Sequence, residues 1–194
     1  MTPFQIILML AAGFFAYQVY VYIQGIDEDA EPAFMKEPEV IEDTQPSSDE
    51  LIEEADKAYV DGNIENAKSL LEKIVLLYPQ LAEARNKLAF VLSKLGENEE
   101  AKKQYKASLN IEANDDMTHN ALAVLLVSMN ELDMAEEHYQ KALEIDDNYE
   151  LTWFNYANLM LQLGKGQDAR KMYEKALEIA PDFEQAHEAL KKLS

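Results

Sequence analysis

Small apolar residues recur along the last three-quarters of the chain with a period of 34. Ala55, Ala89, Ala123 and Ala157 form one column, and Ala67, Ala101, Ala135 and Ala169 a second. A turn column runs beside them through Gly62, Gly96, Asn130 and Gly164, and a bulky one through Leu71, Tyr105, Tyr139 and Tyr173. Pro79 and Pro181 share a further column, with Ala113 and Asp147 between them. A fixed period of this length marks a solenoid, whose units stack because none can bury its apolar face alone. Each unit is predicted to be a pair of antiparallel helices, A and B. The alanines mark where the pair crosses closely, since a larger side chain would force the helices apart. Glycine or asparagine ends helix A in a left-handed conformation, and proline closes the unit because it cannot continue a helix. In the first unit, helix A is expected from about Asp49 to Val60 and helix B from about Ile64 to Leu77, with Asn63 as the N-cap of the second.

The fourth unit carries Trp153, Tyr156, Ala157, Gly164, Ala169, Tyr173, Ala176 and Pro181. In these residues and their spacing the chain resembles the tetratricopeptide repeat family. The resemblance covers about three-quarters of the chain. It implies an all-α solenoid of four repeats, residues 48–81, 82–115, 116–149 and 150–183, closed by a capping helix at 184–194. The departures are mild: Leu51, Arg85 and His119 stand where the family keeps tryptophan, and Asp147 where it keeps proline.

Ahead of the repeats, Phe4 to Ile23 is a run of 20 residues without a charge. At about 1.5 Å per residue it is long enough to cross about 30 Å of hydrocarbon. Tyr17, Tyr20 and Tyr22 crowd one end, as interfacial aromatics do. No basic stretch precedes the run and no small-x-small cleavage site follows it, so residues 1–24 are expected to remain as a single transmembrane anchor rather than leave as a signal. The side faced by the repeats stays open. Lys36 leans toward a cytoplasmic repeat domain, and the acidic flank Asp27, Glu28, Asp29 and Glu31 leans the other way. Residues 25–47 form a linker; from Gly25 to Pro46 it has eight acids, one base and three prolines, a composition that cannot offset its ordering entropy. It is expected to be a disordered, self-repelling spacer. Ala12 and Ala16 form a small-xxx-small pair through which two anchors could pack.

Charge and candidate chemistry narrow the function classes. A net charge of −20 argues against nucleic acid, which needs a basic stripe. With no cysteine, thiolate catalysis, disulfides and cysteine-held metals are excluded. His119 and His187 stand in the tryptophan slot and are expected to pack, while His138 on a helix B has no helical-spaced partner for a metal. Leu163-Gly164-Lys165-Gly166 lacks the spacing of a phosphate loop, and its first glycine is already the turn of a repeat. No catalytic, cofactor or metal constellation results, so an enzyme is not expected.

The family resemblance implies a concave binding face lined by helix A. On this chain it would present Ile52, Asp56 and Tyr59 in the first repeat, then Asn86 and Phe90, Asn120 and Val124, and finally Phe154, Asn155, Asn158 and Leu161. An asparagine amide offers both a donor and an acceptor, matching an extended peptide backbone. The expected site is therefore a peptide groove, with Asn86, Asn120 and Asn158 on the backbone of a client protein and Phe90, Val124, Phe154 and Leu161 against its apolar side chains, Asn155 at the edge. A carboxylate clamp of the kind some family members use is not expected, since only Lys87 and Lys94 come near this face. The resemblance extends to the membrane-anchored repeat proteins bacteria use in envelope and cytochrome assembly, and implies an adaptor at a bacterial inner membrane. Two other roles fit the same sequence: a self-associating structural component, as a homodimer, or a non-catalytic accessory that presents an apoprotein chain to an assembly enzyme.

Overall fold

The computed structural model describes residues 46–193, and within them the chain forms nine helices and no strand. They are α1 (Ser48–Val60), α2 (Ile64–Leu77), α3 (Ala82–Lys94), α4 (Asn98–Ile111), α5 (Asp116–Ser128), α6 (Leu132–Ile145), α7 (Glu150–Gln162), α8 (Gly166–Ile179) and α9 (Glu184–Lys192). Odd-numbered helices up to α7 are the A helices and even-numbered ones the B helices; α9 caps the stack. Among the described residues no helix is long and apolar enough to cross a membrane. The anchor expected at residues 1–24 lies outside the described residues, as does the linker up to residue 45.

The alternation follows from local chemistry. Ser47 caps α1 in a capping box, its hydroxyl accepting from the Glu50 N–H at 3.2 Å while the Glu50 carboxylate accepts from the Ser47 N–H at 3.0 Å. Asn63 caps α2 as expected, its side chain accepting from the Asn66 N–H. Every A helix ends the same way. Gly62, Gly96, Asn130 and Gly164 adopt φ of 80°, 79°, 60° and 74°. The next N–H in each case turns back to a carbonyl five residues earlier: Asn63 to Ala58, Glu97 to Leu92, Glu131 to Leu126 and Lys165 to Met160, at 2.8 to 2.9 Å. This is the Schellman closure, and it is why the turn column needs a residue that tolerates positive φ. A methyl group at any of the three glycines would meet nothing within 4 Å, so the requirement is conformational rather than steric.

The two alanine columns form the seam of each hairpin. All eight are at most 1 % exposed, and Leu71, Tyr105, Tyr139 and Tyr173 close the seam against the next unit at 2 % or less. Each helix packs on its neighbours in sequence, and α3 also touches α5, and α5 touches α7. The A helices therefore lie on the inner side of the stack. Ion pairs staple successive B helices through the turn before the next one: Lys68 with Glu97 at 2.7 Å, Lys102 with Glu131 at 2.5 Å, and, with the charges exchanged, Glu136 with Lys165 at 3.3 Å.

The tryptophan slot is more than a packing position. Arg85 donates through Nε and Nη2 to the Pro79 carbonyl, His119 through Nε2 to Ala113, Trp153 through Nε1 to Asp147 at 2.7 Å, and His187 through Nε2 to Pro181 at 2.8 Å. From the second repeat onward the slot residue thus ties its helix to the backbone carbonyl six residues before it, whereas Leu51 in the first repeat only packs, at 3 % exposure. This explains why arginine and histidine replace tryptophan here: all three carry a side-chain N–H. It also explains why proline is dispensable in its own column, since the acceptor is backbone.

Candidate functional site

Three cavities open on or beside the inner face. The first, about 230 Å³, lies between repeats one and two against Asp56, Tyr59, Asn86, Lys87 and Phe90. Tyr59 and Phe90 meet edge to face there, centroids 5.4 Å apart, and Lys87 is paired with Asp56 at 2.8 Å. The second, about 390 Å³, lies between repeats two and three and is lined by Phe90, Lys94, Tyr105, Asn120 and Val124, among others. The third, about 300 Å³, lies between repeat four and the cap, against Phe154, Asn158, Leu161, Tyr173, Glu188 and Lys192. Phe90, Val124 and Leu161 remain 38 %, 44 % and 37 % exposed, so the apolar positions expected to face a client are open.

The expected site residues divide between these places. Phe90, Asn120 and Val124 share the second cavity, and Phe154, Asn158 and Leu161 the third; Asn86 belongs to the first. Phe154 is largely spent on the fold: its ring packs edge to face on Phe183 of the cap, centroids 5.0 Å apart, and against Tyr173 at 5.5 Å. The asparagines are each engaged once within the chain. Asn86 donates to the Thr118 hydroxyl, Asn155 donates to Asn120 Oδ1 at 3.2 Å, and Asn158 Oδ1 accepts from the Tyr173 hydroxyl at 2.5 Å. What they keep for a ligand is the carbonyl oxygen of Asn86 and the amide N–H groups of Asn120 and Asn158. Tyr59 lines the first cavity, and Tyr105, behind the inner face on α4, lines the first and the second. Tyr105 is not among the expected site residues, because its column reads as core.

Sequence spacing also concealed a histidine pair. His119 on α5 and His138 on α6 meet with their Nδ1 atoms 2.8 Å apart. The Ala113 carbonyl can only accept, so the neutral His119 ring carries its proton on Nε2 and receives the Nδ1–H of His138. Burial lowers the pKa of both, and burial together with the neighbouring His119, Lys141 and Lys106 holds His138 at about 4. Repeat two uses Arg85 and Gln104 at the equivalent positions, joined at 3.2 Å. The pair is thus a neutral link between helices A and B. Among the described residues no group of three or more His, Asp or Glu side chains is placed to hold a metal.

Helical hairpins stacked with an open inner face define a helical-repeat solenoid. The particular repeat is identified directly: two family models described as tetratricopeptide repeat match residues 80–148 and 126–193, so the chain carries tetratricopeptide repeats. No curated protein matches the sequence. Among solved structures, the chain is similar to PilF of Pseudomonas aeruginosa, at 23 % identity and a TM-score of 0.71 over 75 % of this chain and 67 % of that one. MamA follows at 19 % identity and 0.66, over 72 % of this chain and 81 % of that one. The first such domain of Spaghetti (RPAP3), solved bound to the HSP90 peptide SRMEEVD, is 21 % identical with a TM-score of 0.57, over 59 % of this chain and 90 % of that one. At these identities the likeness establishes the fold. The repeat is a protein-interaction module, typically non-catalytic.

Proposed function

We propose that this protein is a membrane-anchored adaptor that binds a peptide segment of a client protein along the inner face of repeats two to four. The observation that carries the reading is the exposed apolar series Phe90, Val124 and Leu161, left open beside a seam that is otherwise closed. The unspent amide groups of Asn120 and Asn158 and the carbonyl of Asn86 supply backbone contacts beside them. The uncharged run at residues 4–23 and the acidic linker that follows support a single-pass anchor with the repeats held off the membrane.

Two experiments test the reading. Val124→Asp combined with Leu161→Asp changes only exposed groove positions, whereas Phe154→Ala would also loosen the cap. With thermal stability unchanged, retention of an extended-peptide library by the full chain should fall about tenfold or more, as for loss of a buried interface anchor. Undiminished retention would place binding elsewhere. For the anchor, Ser194→Cys introduces a single thiol into a chain without cysteine. Membrane fractionation should recover the full chain with the bilayer, and an impermeant maleimide on intact cells then reports the side the repeats face. A fully soluble chain would sink the anchor.

A further inference from the structure

The second cavity runs against the charge of the whole molecule. The chain carries 37 acids and 17 bases, yet no carboxylate lines this cavity between repeats two and three. Its one charged side chain, Lys94, makes no ion pair among the described residues; its ammonium sits 4.9 Å from the centroid of the Phe90 ring. Tyr105 is 2 % exposed, and its hydroxyl has no hydrogen-bond partner among the described residues. Thr152 is the only described residue with a fully enclosed side-chain polar atom left unpaired, so the Tyr105 hydroxyl is not enclosed; Tyr105 stands between the first cavity and this one and lines both. Burial pushes the phenol's pKa up, which keeps its proton in place as a donor. Asn120 has its oxygen occupied by Asn155 and its N–H groups free. The hydroxyls of Ser93 and Ser128, also in the lining, are turned onto the carbonyls of Phe90 and Leu125 at 2.6 Å.

The free capacity of the cavity is therefore an ammonium, a phenol O–H and the amide NH2 of Asn120, beside the Asn98 amide, which offers both a donor and an acceptor. The neighbouring cavities differ: Lys87 is neutralised by Asp56 in the first, and Glu188 accompanies Lys192 in the third. We propose that the cavity between repeats two and three is a subsite for a carboxylate side chain, an aspartate or glutamate within the bound client peptide. A carboxylate is acceptor-only and complements all three donors at once, with charge-assisted bonds from Lys94. The source is a side chain rather than a chain terminus because the inner face continues on both sides, toward Tyr59 and Asn86 in one direction and Asn158 and Leu161 in the other, leaving room for peptide to run past. This subsite rests on the peptide-groove reading above.

The test uses the full chain and immobilised, C-terminally amidated peptide libraries of identical apolar content, one with a central glutamate and one with a central glutamine. The glutamate library should be retained about tenfold better, the worth of one charge-assisted hydrogen bond. Lys94→Gln should abolish that preference, and Tyr105→Phe, which keeps the packed ring, should reduce it a few-fold. Equal retention of both libraries that Leu161→Asp abolishes would overturn the carboxylate subsite and leave the groove standing. A preference that survives Lys94→Gln overturns the assignment of this cavity. Retention of neither library overturns subsite and groove together. A glutamine library bound only when its terminal carboxylate is free would assign the anion to a chain end and overturn the side-chain source.

Discussion

Repeats two and four share one seam and present different grooves. Ala89 and Ala101 in the former, and Ala157 and Ala169 in the latter, are wholly buried, and Tyr105 and Tyr173 fill the same place behind them. Yet the Tyr173 hydroxyl donates to Asn158, while the residue fifteen places before Tyr105 is Phe90, which accepts nothing. The seam repeats because a methyl group is the largest side chain the helix crossing tolerates. The inner face varies because nothing in the seam depends on it, and so it is there that one repeat acquires an unspent donor and another satisfies its own.

The largest effect separating seam from groove is expected on neighbouring residues. Ala123→Leu should cost about 1 to 3 kcal/mol by overpacking, whereas Val124→Leu, on a 44 % exposed position, should leave stability nearly unchanged. Equal melting temperatures for the two variants would mean that the register is wrong. Next, Tyr173→Phe removes the bond to Asn158 and should cost about 1 kcal/mol, while Tyr105→Phe should be close to neutral. A comparable loss at both would show that the Tyr105 hydroxyl is satisfied, and would remove the contrast between the two grooves.

The third repeat sharpens the comparison through its histidines. The folded-state pKa of His138 lies at about 4, below the usual value of about 6.5. The unfolded chain therefore binds more protons between those values. The stability this neutral histidine contributes is fully present above pH 6.5 and is lost as the pH falls toward 4. Asp115 and Asp116, which act on His119, and Lys106 and Lys141 are the charges around the pair. His138→Gln, which copies the Arg85–Gln104 arrangement of repeat two, should flatten the melting temperature between pH 7 and pH 4.5 relative to the parent chain. Parallel curves would show that the pair does not carry the acid sensitivity.

The smallest effect concerns the stapling ion pairs. Glu131→Lys places two cations together opposite Lys102 and should cost about 0.2 to 1 kcal/mol, which Lys102→Glu in the same chain should recover. A double variant no more stable than the single one would mean that the pair contributes nothing to stacking.

Much of this architecture was legible in a single sequence. The alanine columns, the left-handed turns at Gly62, Gly96, Asn130 and Gly164, and the Asn63 cap all follow from rules that act within a few residues or at a fixed repeat distance. The groove was legible only in outline. Phe90, Val124 and Leu161 are open, but Phe154 is shared with the cap, because Phe183, the last residue of repeat four and the N-cap of α9, packs on its ring. The tryptophan slot reads as packing, although from the second repeat onward its occupants Arg85, His119, Trp153 and His187 all carry an N–H; that shared donor is the available signal.

By itself the sequence determined the number of repeats, their register and the residues that close the seam. Those depend on backbone conformation and side-chain volume, which are the same in every unit. Only the tertiary structure decided which polar groups satisfy one another across helices: His119 with His138, Asn120 with Asn155, Tyr173 with Asn158, and Tyr105 and Lys94 with no polar partner among the described residues. Hydrogen bonds and charges are settled by distances of a few tenths of an ångström between helices, and periodicity along the chain does not carry that information.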